Sequence, residues 1–103
     1  MPNSRPHPVL QYSGLYSLVD FCYHGFSWTP EDHYIEMTLQ KESVVVRLRF
    51  ERPRQLVINE YFPTQMGLFI SDISEQQLED LTVEVGDYEN GSIRFFAKSV
   101  ERI

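Results

Sequence analysis

Ile35, Met37 and Leu39 alternate with Tyr34, Glu36, Thr38 and Gln40, and Val44, Val46, Leu48 and Phe50 alternate with Val45, Arg47, Arg49 and Glu51. A period of two places each set on its own face of an extended chain, so both runs predict half-buried strands. Lys41-Glu42-Ser43 lies between them and predicts a hairpin. The apolar residues must share a face, which leaves two registers, Leu39 opposite Val44 or Leu39 opposite Val46. Either one sets Glu36 across from an arginine, Arg47 or Arg49.

A second hairpin is expected near the C-terminus. Leu81, Val83 and Val85 alternate, Asn90-Gly91 tolerates the positive φ of a tight turn, and Ile93, Phe95 and Ala97 return. Val85 opposite Ile93 leaves a loop over 88–90 and brings Glu84 to Arg94. Val100 falls on the wrong parity, so a register shift is expected near Ser99. Between the hairpins, Arg52-Pro53-Arg54 ends the second strand. Gln55 to Glu60 predicts a short strand with Leu56 and Ile58 on one face, and Leu68 to Ser71 another. Ser74-Glu75-Gln76-Gln77 fits a capping box, which predicts a short helix from Ser74 to about Asp80. Leu15 to Trp28 is apolar and aromatic without a clean period, either a strand or a helical turn leading into one, with Gly25 at a bulge or bend.

These elements predict a mainly β protein. It has five to seven strands in a curved antiparallel sheet, a sandwich or a partly closed barrel, with one short helix. An α+β arrangement follows instead if 15–24 is helical. At 103 residues the chain makes one domain, 10–103, and three prolines within residues 1–9 predict a flexible tail.

Charge narrows the classes of function. The formal net charge is −6, which argues against a duplex-binding role, since such a domain presents a basic face to phosphates. From Gln55 to Ile93 there is no lysine or arginine, while Glu60, Asp72, Glu75, Glu79, Asp80, Glu84, Asp87 and Glu89 all fall there. Five basic residues gather instead between Lys41 and Arg54. An acidic face around the helix and the second hairpin is expected. It serves solubility or steers a basic partner. One cysteine, Cys22, precludes an internal disulfide and suits a reducing cytoplasm. No apolar run is long enough to span a bilayer, and residues 1–8 carry no signal-peptide core.

Candidate chemistry is sparse. Cys22 and His24 share a face if they lie on a strand, and His33 follows the next turn, so thiolate and imidazoles offer an alternative metal site. A buried structural cysteine is the commoner role. Glu31-Asp32 and Glu79-Asp80 are adjacent in sequence and point apart on a regular element, so neither predicts an acid–base dyad. No G-x-S-x-G or phosphate-cradling glycine loop occurs, and no cofactor is expected. Trp28, Tyr34, Tyr61 and Phe62 are candidate anchors for a protein partner. The leading expectation is a non-enzymatic protein-binding module, of inhibitor or immunity type, acting on a basic partner through these aromatics and the acidic residues. The alternatives are a small-ligand or metal-binding barrel, with or without enzymatic activity, and a structural subunit whose edge strand pairs with a twin.

Overall fold

The two periodic runs form strands Tyr34–Lys41 (β3) and Val44–Glu51 (β4), paired with Leu39 opposite Val46 and Lys41 opposite Val44. Of the two registers open in the sequence, this one leaves Glu42 and Ser43 as the turn. Glu42 takes a left-handed φ of 56° there, which lets the tight turn match the twist of the strands. Ile35, Met37, Leu39, Val46, Leu48 and Phe50 are all buried on one face, as the alternation requires. Val44, at the hairpin tip, is half exposed.

The computed structural model describes residues 5–25, 32–58, 67–76, 81–87 and 93–103. The described strands are, in chain order, β1 (Arg5–Pro6), β2 (Ser17–His24), β3, β4, β5 (Arg54–Ile58), β6 (Leu68–Asp72), β7 (Val83–Asp87), β8 (Ile93–Ala97) and β9 (Ser99–Arg102). They make two antiparallel sheets, β2-β3-β4-β9 and β1-β6-β7-β8-β5, in a sandwich-like arrangement. The inward faces meet in one core. The Phe95 ring of the second sheet packs edge-on to Phe50, 5.1 Å between centroids, and to Phe21 at 6.4 Å, both from the first. Such edge-to-face contacts add to the area the rings bury.

The aperiodic stretch from Leu15 forms β2, preceded by a single 3-10 turn, η1 (Ser13–Leu15), so the α+β alternative falls away. Its period is blurred because the register shifts between Leu18 and Asp20. The bulge of this strand therefore sits at Val19, while Gly25, expected at a bulge or bend, lies outside the ladder. Gly25 instead follows the strand end, where a Cβ would lie 2.8 Å from Tyr23 and 2.9 Å from the His33 ring. Side-chain-free backbone is needed there for the close approach of two rings.

Several other expectations are corrected. Within the expected tail, Arg5–Pro6 form β1, which pairs with β6, and the His7 N–H donates to the Ile70 carbonyl at 2.8 Å; Leu10, just beyond the tail, is buried in the core. In the second hairpin Val85 lies opposite Phe95, two residues from the expected register. A shift of two preserves parity, so Val83, Val85, Ile93, Phe95 and Ala97 still face inward and are fully buried. The expected register shift near Ser99 is a change of sheet. The chain leaves β8 at Ala97, the Lys98 N–H donates to the Glu51 carbonyl at 2.9 Å, and β9 pairs with β4, Val100 opposite Phe50. Crossing to the other sheet after one residue reverses which parity faces the core. β5 is also irregular: Gln55 has φ of 56° and the register shifts between Arg54 and Val57, which leaves Leu56 half-buried and Ile58 exposed.

Over the described part of the expected helix the chain forms a 3-10 turn, η2 (Ser74–Gln76). Asp72 organises its start, accepting from the Ser74 backbone N–H at 2.9 Å and from its hydroxyl at 2.7 Å. This is an Asx turn. The Gln77 half of the expected capping box, and 77–80, lie outside the described residues.

Candidate functional site

Strand pairing sets His24, Tyr34 and Glu51 in one row across the outer face of the four-stranded sheet, at the end where β2 gives way to β3. The next row is Cys22, Glu36, Arg49 and Glu101. The same alternation that buries Ile35 and Phe50 turns these side chains outward.

Tyr34 is the centre of the cluster. The His24 imidazole stacks on its ring, 4.5 Å between centroids and 13° from parallel. The Arg49 guanidinium lies 3.8 Å from the ring centroid, reaching in from the strand on the other side. Arg49 Nε also donates to Glu51 Oε2 at 2.6 Å. A planar guanidinium suits both jobs at once, π-stacking with its face and hydrogen bonding along its edge. Arg47 takes the diagonal partner Glu36 at 3.4 Å, so Glu36, although in register with Arg49, pairs across to its neighbour. Around the strand end, the Tyr23 hydroxyl hydrogen-bonds His33 Nδ1 at 2.7 Å, with the rings edge-on. The result is a half-exposed aromatic and cationic platform, fixed by contacts on each side. It can bind by stacking and by charge-assisted hydrogen bonds.

The alternative metal set is not assembled. Cys22 and His24 do share the outer face, with Cys22 exposed. His24 is taken up in the stack on Tyr34, and His33 turns to Tyr23, whose parity is that of the core face. Among the described residues no three His, Cys, Asp or Glu side chains come close enough to hold a metal ion.

The described residues of the expected acidic face, Asp72, Glu75, Glu84 and Asp87, fall in two groups and are partly neutralised. Asp72 lies 3.7 Å and Glu75 3.6 Å from the guanidinium of Arg5, which β1 brings from the other end of the sequence. Two hydrogen bonds from Ser74, hydroxyl first and backbone second, hold the Asp72 carboxyl below its usual range, with Arg5 adding to the effect. Glu84 pairs with Arg94 at 3.1 Å, although Phe96 is its in-register partner. Asp87, expected on the surface, is 9% exposed, at the opposite end of β7 from the residue paired with Asp72. Glu84 and Asp87 instead line a shallow cleft of about 260 Å³ with Phe69, Gly86 and Arg94. Trp28, Glu60, Tyr61, Phe62, Glu79, Asp80 and Glu89 lie outside the described residues.

The sequence marks Arg49 only as a cross-strand partner for Glu36, and Tyr23 only as one of the aromatics of the stretch from Leu15 to Trp28, so the pattern assigns neither to this site. Parity alone puts Arg49 on the face of Tyr34, so its signal is present in the alternation. The Tyr23–His33 contact has no such signal, because it depends on the path of the β2–β3 connection. Comparison with protein-family models, curated proteins and solved structures returned no significant match.

Proposed function

We propose that this chain is a non-enzymatic protein-binding module whose partner carries a basic surface. The distribution of charge supports this reading. The nine described strands hold seven acidic and seven basic residues, while the rest of the chain holds eight acidic and two basic ones. The whole net charge of −6 therefore falls outside the described strands. Solubility alone does not require this separation, since charge on the outer sheet faces serves that purpose equally well. An acidic excess of this size acts on a basic surface in advance of contact and speeds its encounter. The platform at Tyr34 supplies a half-buried, preordered tyrosine, a residue of the kind that anchors interfaces, with the Arg49 charge beside it offset by Glu51.

The test is an affinity capture from lysate of the cells that make the protein, at low and at high salt. It is run in parallel with a variant carrying Glu75→Gln, Glu79→Gln, Asp80→Asn and Glu89→Gln. A basic protein retained at low salt and lost from the variant is the expected result. A partner held equally by both forms and at both salts overturns the electrostatic reading. Tyr34→Ala, which leaves the charge unchanged, should weaken the same capture by speeding release without slowing encounter, as loss of an anchor does.

A further inference from the structure

The four-stranded sheet ends in β2, and among the described residues no strand lies along the side of β2 away from β3. The other sheet edges are two, four or five residues long, and β5 is broken by a register shift. β2 has eight residues, without lysine or proline, and its bulge at Val19 leaves Asp20 to His24 as an unbroken ladder with β3. Val19 and Tyr23 are large side chains exposed on this strand, 38% and 41%. A free edge of this kind is a template for a further strand.

We infer that the occupant is a second copy of β2, paired antiparallel about a two-fold axis at Cys22. In a sheet continued through a two-fold axis normal to it, each face continues as the same face, so the axis must pass between a residue and its own copy. Centring on Cys22 uses the whole regular segment and is self-complementary on both faces. On the outer face Asp20 lies opposite His24 of the second copy, and the imidazole N–H donates to the carboxylate. On the inner face Phe21 lies opposite Tyr23 of the second copy, an aromatic pair. Each pair occurs twice by symmetry, and both kinds stabilise cross-strand contacts. Centring one residue earlier sets Phe21 on itself and Asp20 opposite Cys22. Centring on Asp20 sets two carboxylates face to face. The product is an eight-stranded sheet, within the size that twisted open sheets reach. One added strand buries less area than a standard interface, so the association is reversible and concentration-dependent.

Cys22 is the only cysteine, so the register can be read chemically. Directly opposite residues in an antiparallel pair have Cα atoms about 4.5–5.5 Å apart. The reduced protein is sedimented over a range of concentrations and treated with a short bis-maleimide, which adds one thiol at each end. The expected result is a dimer of twice the 12.2 kDa chain mass, with covalent dimer formed through Cys22 at concentrations where unpaired chains give single-ended adducts. Asp20→Lys, a change at an exposed position, weakens association roughly tenfold by converting two favourable pairs. Adding His24→Glu to it restores pairing, because each cross-strand pair then holds a lysine ammonium and a glutamate carboxylate, donor and acceptor having changed strands. Circular dichroism verifies that both variants fold. A monomer at all concentrations overturns the inference. So does a dimer that the bis-maleimide does not join or that Asp20→Lys leaves unchanged, since the contact then lies elsewhere. None of these readouts depends on capture of a basic partner.

Discussion

A missing methyl at Gly86 decides how Phe69 lies on the outer face of the five-stranded sheet. The two residues are opposite in the β6–β7 ladder, and a Cβ at 86 would lie 2.6 Å from Phe69 Cζ. The ring covers the bare glycine backbone, and Gly86 is buried in consequence. Gly86→Ala should therefore destabilise by about 1–2 kcal/mol, because the added carbon forces the ring aside. In a Phe69→Ala background the same change should cost roughly 1 kcal/mol less, a coupling that urea unfolding of the four proteins measures. Simple additivity would mean that the ring does not rest on Gly86. The contrast with the core is one of degree. Phe50 and Phe95 are fully buried and interlock the sheets, and truncation of either belongs to the range of about 3–5 kcal/mol.

Among the elements, β9 has the most leverage for its length. Its four residues, reached through Lys98, tie the two sheets together. The crossing is fixed by the Lys98 N–H on the Glu51 carbonyl and by the Thr82 hydroxyl on the Lys98 carbonyl at 2.6 Å. Farther on, Arg102 Nε donates to the Val9 carbonyl at 2.9 Å and secures the segment that follows β1. Lys98→Pro removes the N–H and should cost about 1–3 kcal/mol, the penalty of leaving a carbonyl without its donor. Lys98→Ala keeps the backbone bond, and its side chain is exposed, so its effect should stay within about 0.5 kcal/mol. For a domain of this size the difference is read as a separation of several degrees in melting temperature, about 4–8 °C per kcal/mol. Equal melting temperatures would show that the crossing bond contributes nothing.

For the protein taken as one cooperative unit, two groups at the β1 edge couple stability to pH. Burial holds the His7 imidazole below its ordinary range, with the Asp72 carboxylate pulling the other way. Its Nδ1 accepts from the Val9 N–H at 3.0 Å, a bond only the neutral ring makes. The unfolded chain therefore binds a proton more readily than the native one. The stabilisation is complete above about pH 6.5 and is lost as the pH falls below that value through the native His7 pKa. Asp72, held low by Ser74, acts with the same sign farther down: its contribution is present above the ordinary carboxylate range and is lost as the pH falls through its depressed value. Denaturant midpoints should therefore fall between pH 7 and 5, and His7→Gln should flatten that slope while leaving the acid limb below about pH 4 in place. An unchanged slope in the variant would assign the titration to another group.

Within the two periodic hairpins, which residues face inward follows from the sequence alone. Ile35 through Phe50 and Val83 through Ala97 alternate with period two, and burial follows that alternation because a pleated strand has only two faces. The mainly β class, the first hairpin and the separation of the basic run at 41–54 from the acidic stretch at 55–93 are legible for the same reason. Each is a property of neighbours along the chain. Whatever depends on partners distant in sequence was settled by the packed fold. Val85 against Phe95 and Val85 against Ile93 have equal parity, so pattern could not choose between them. Val100 is out of phase with β8 and comes into phase because β9 joins the other sheet. The acidic stretch gained Arg5 and Arg94 only when strands brought them alongside, and Tyr34 acquired His24 and Arg49 in the same way. His33 went to Tyr23 and not to Cys22, because the end of a strand turns a side chain according to the path of the chain beyond it. Alternation specifies a face, whereas neighbours across a sheet are specified by register and strand order. Those are set by the packing of the whole core.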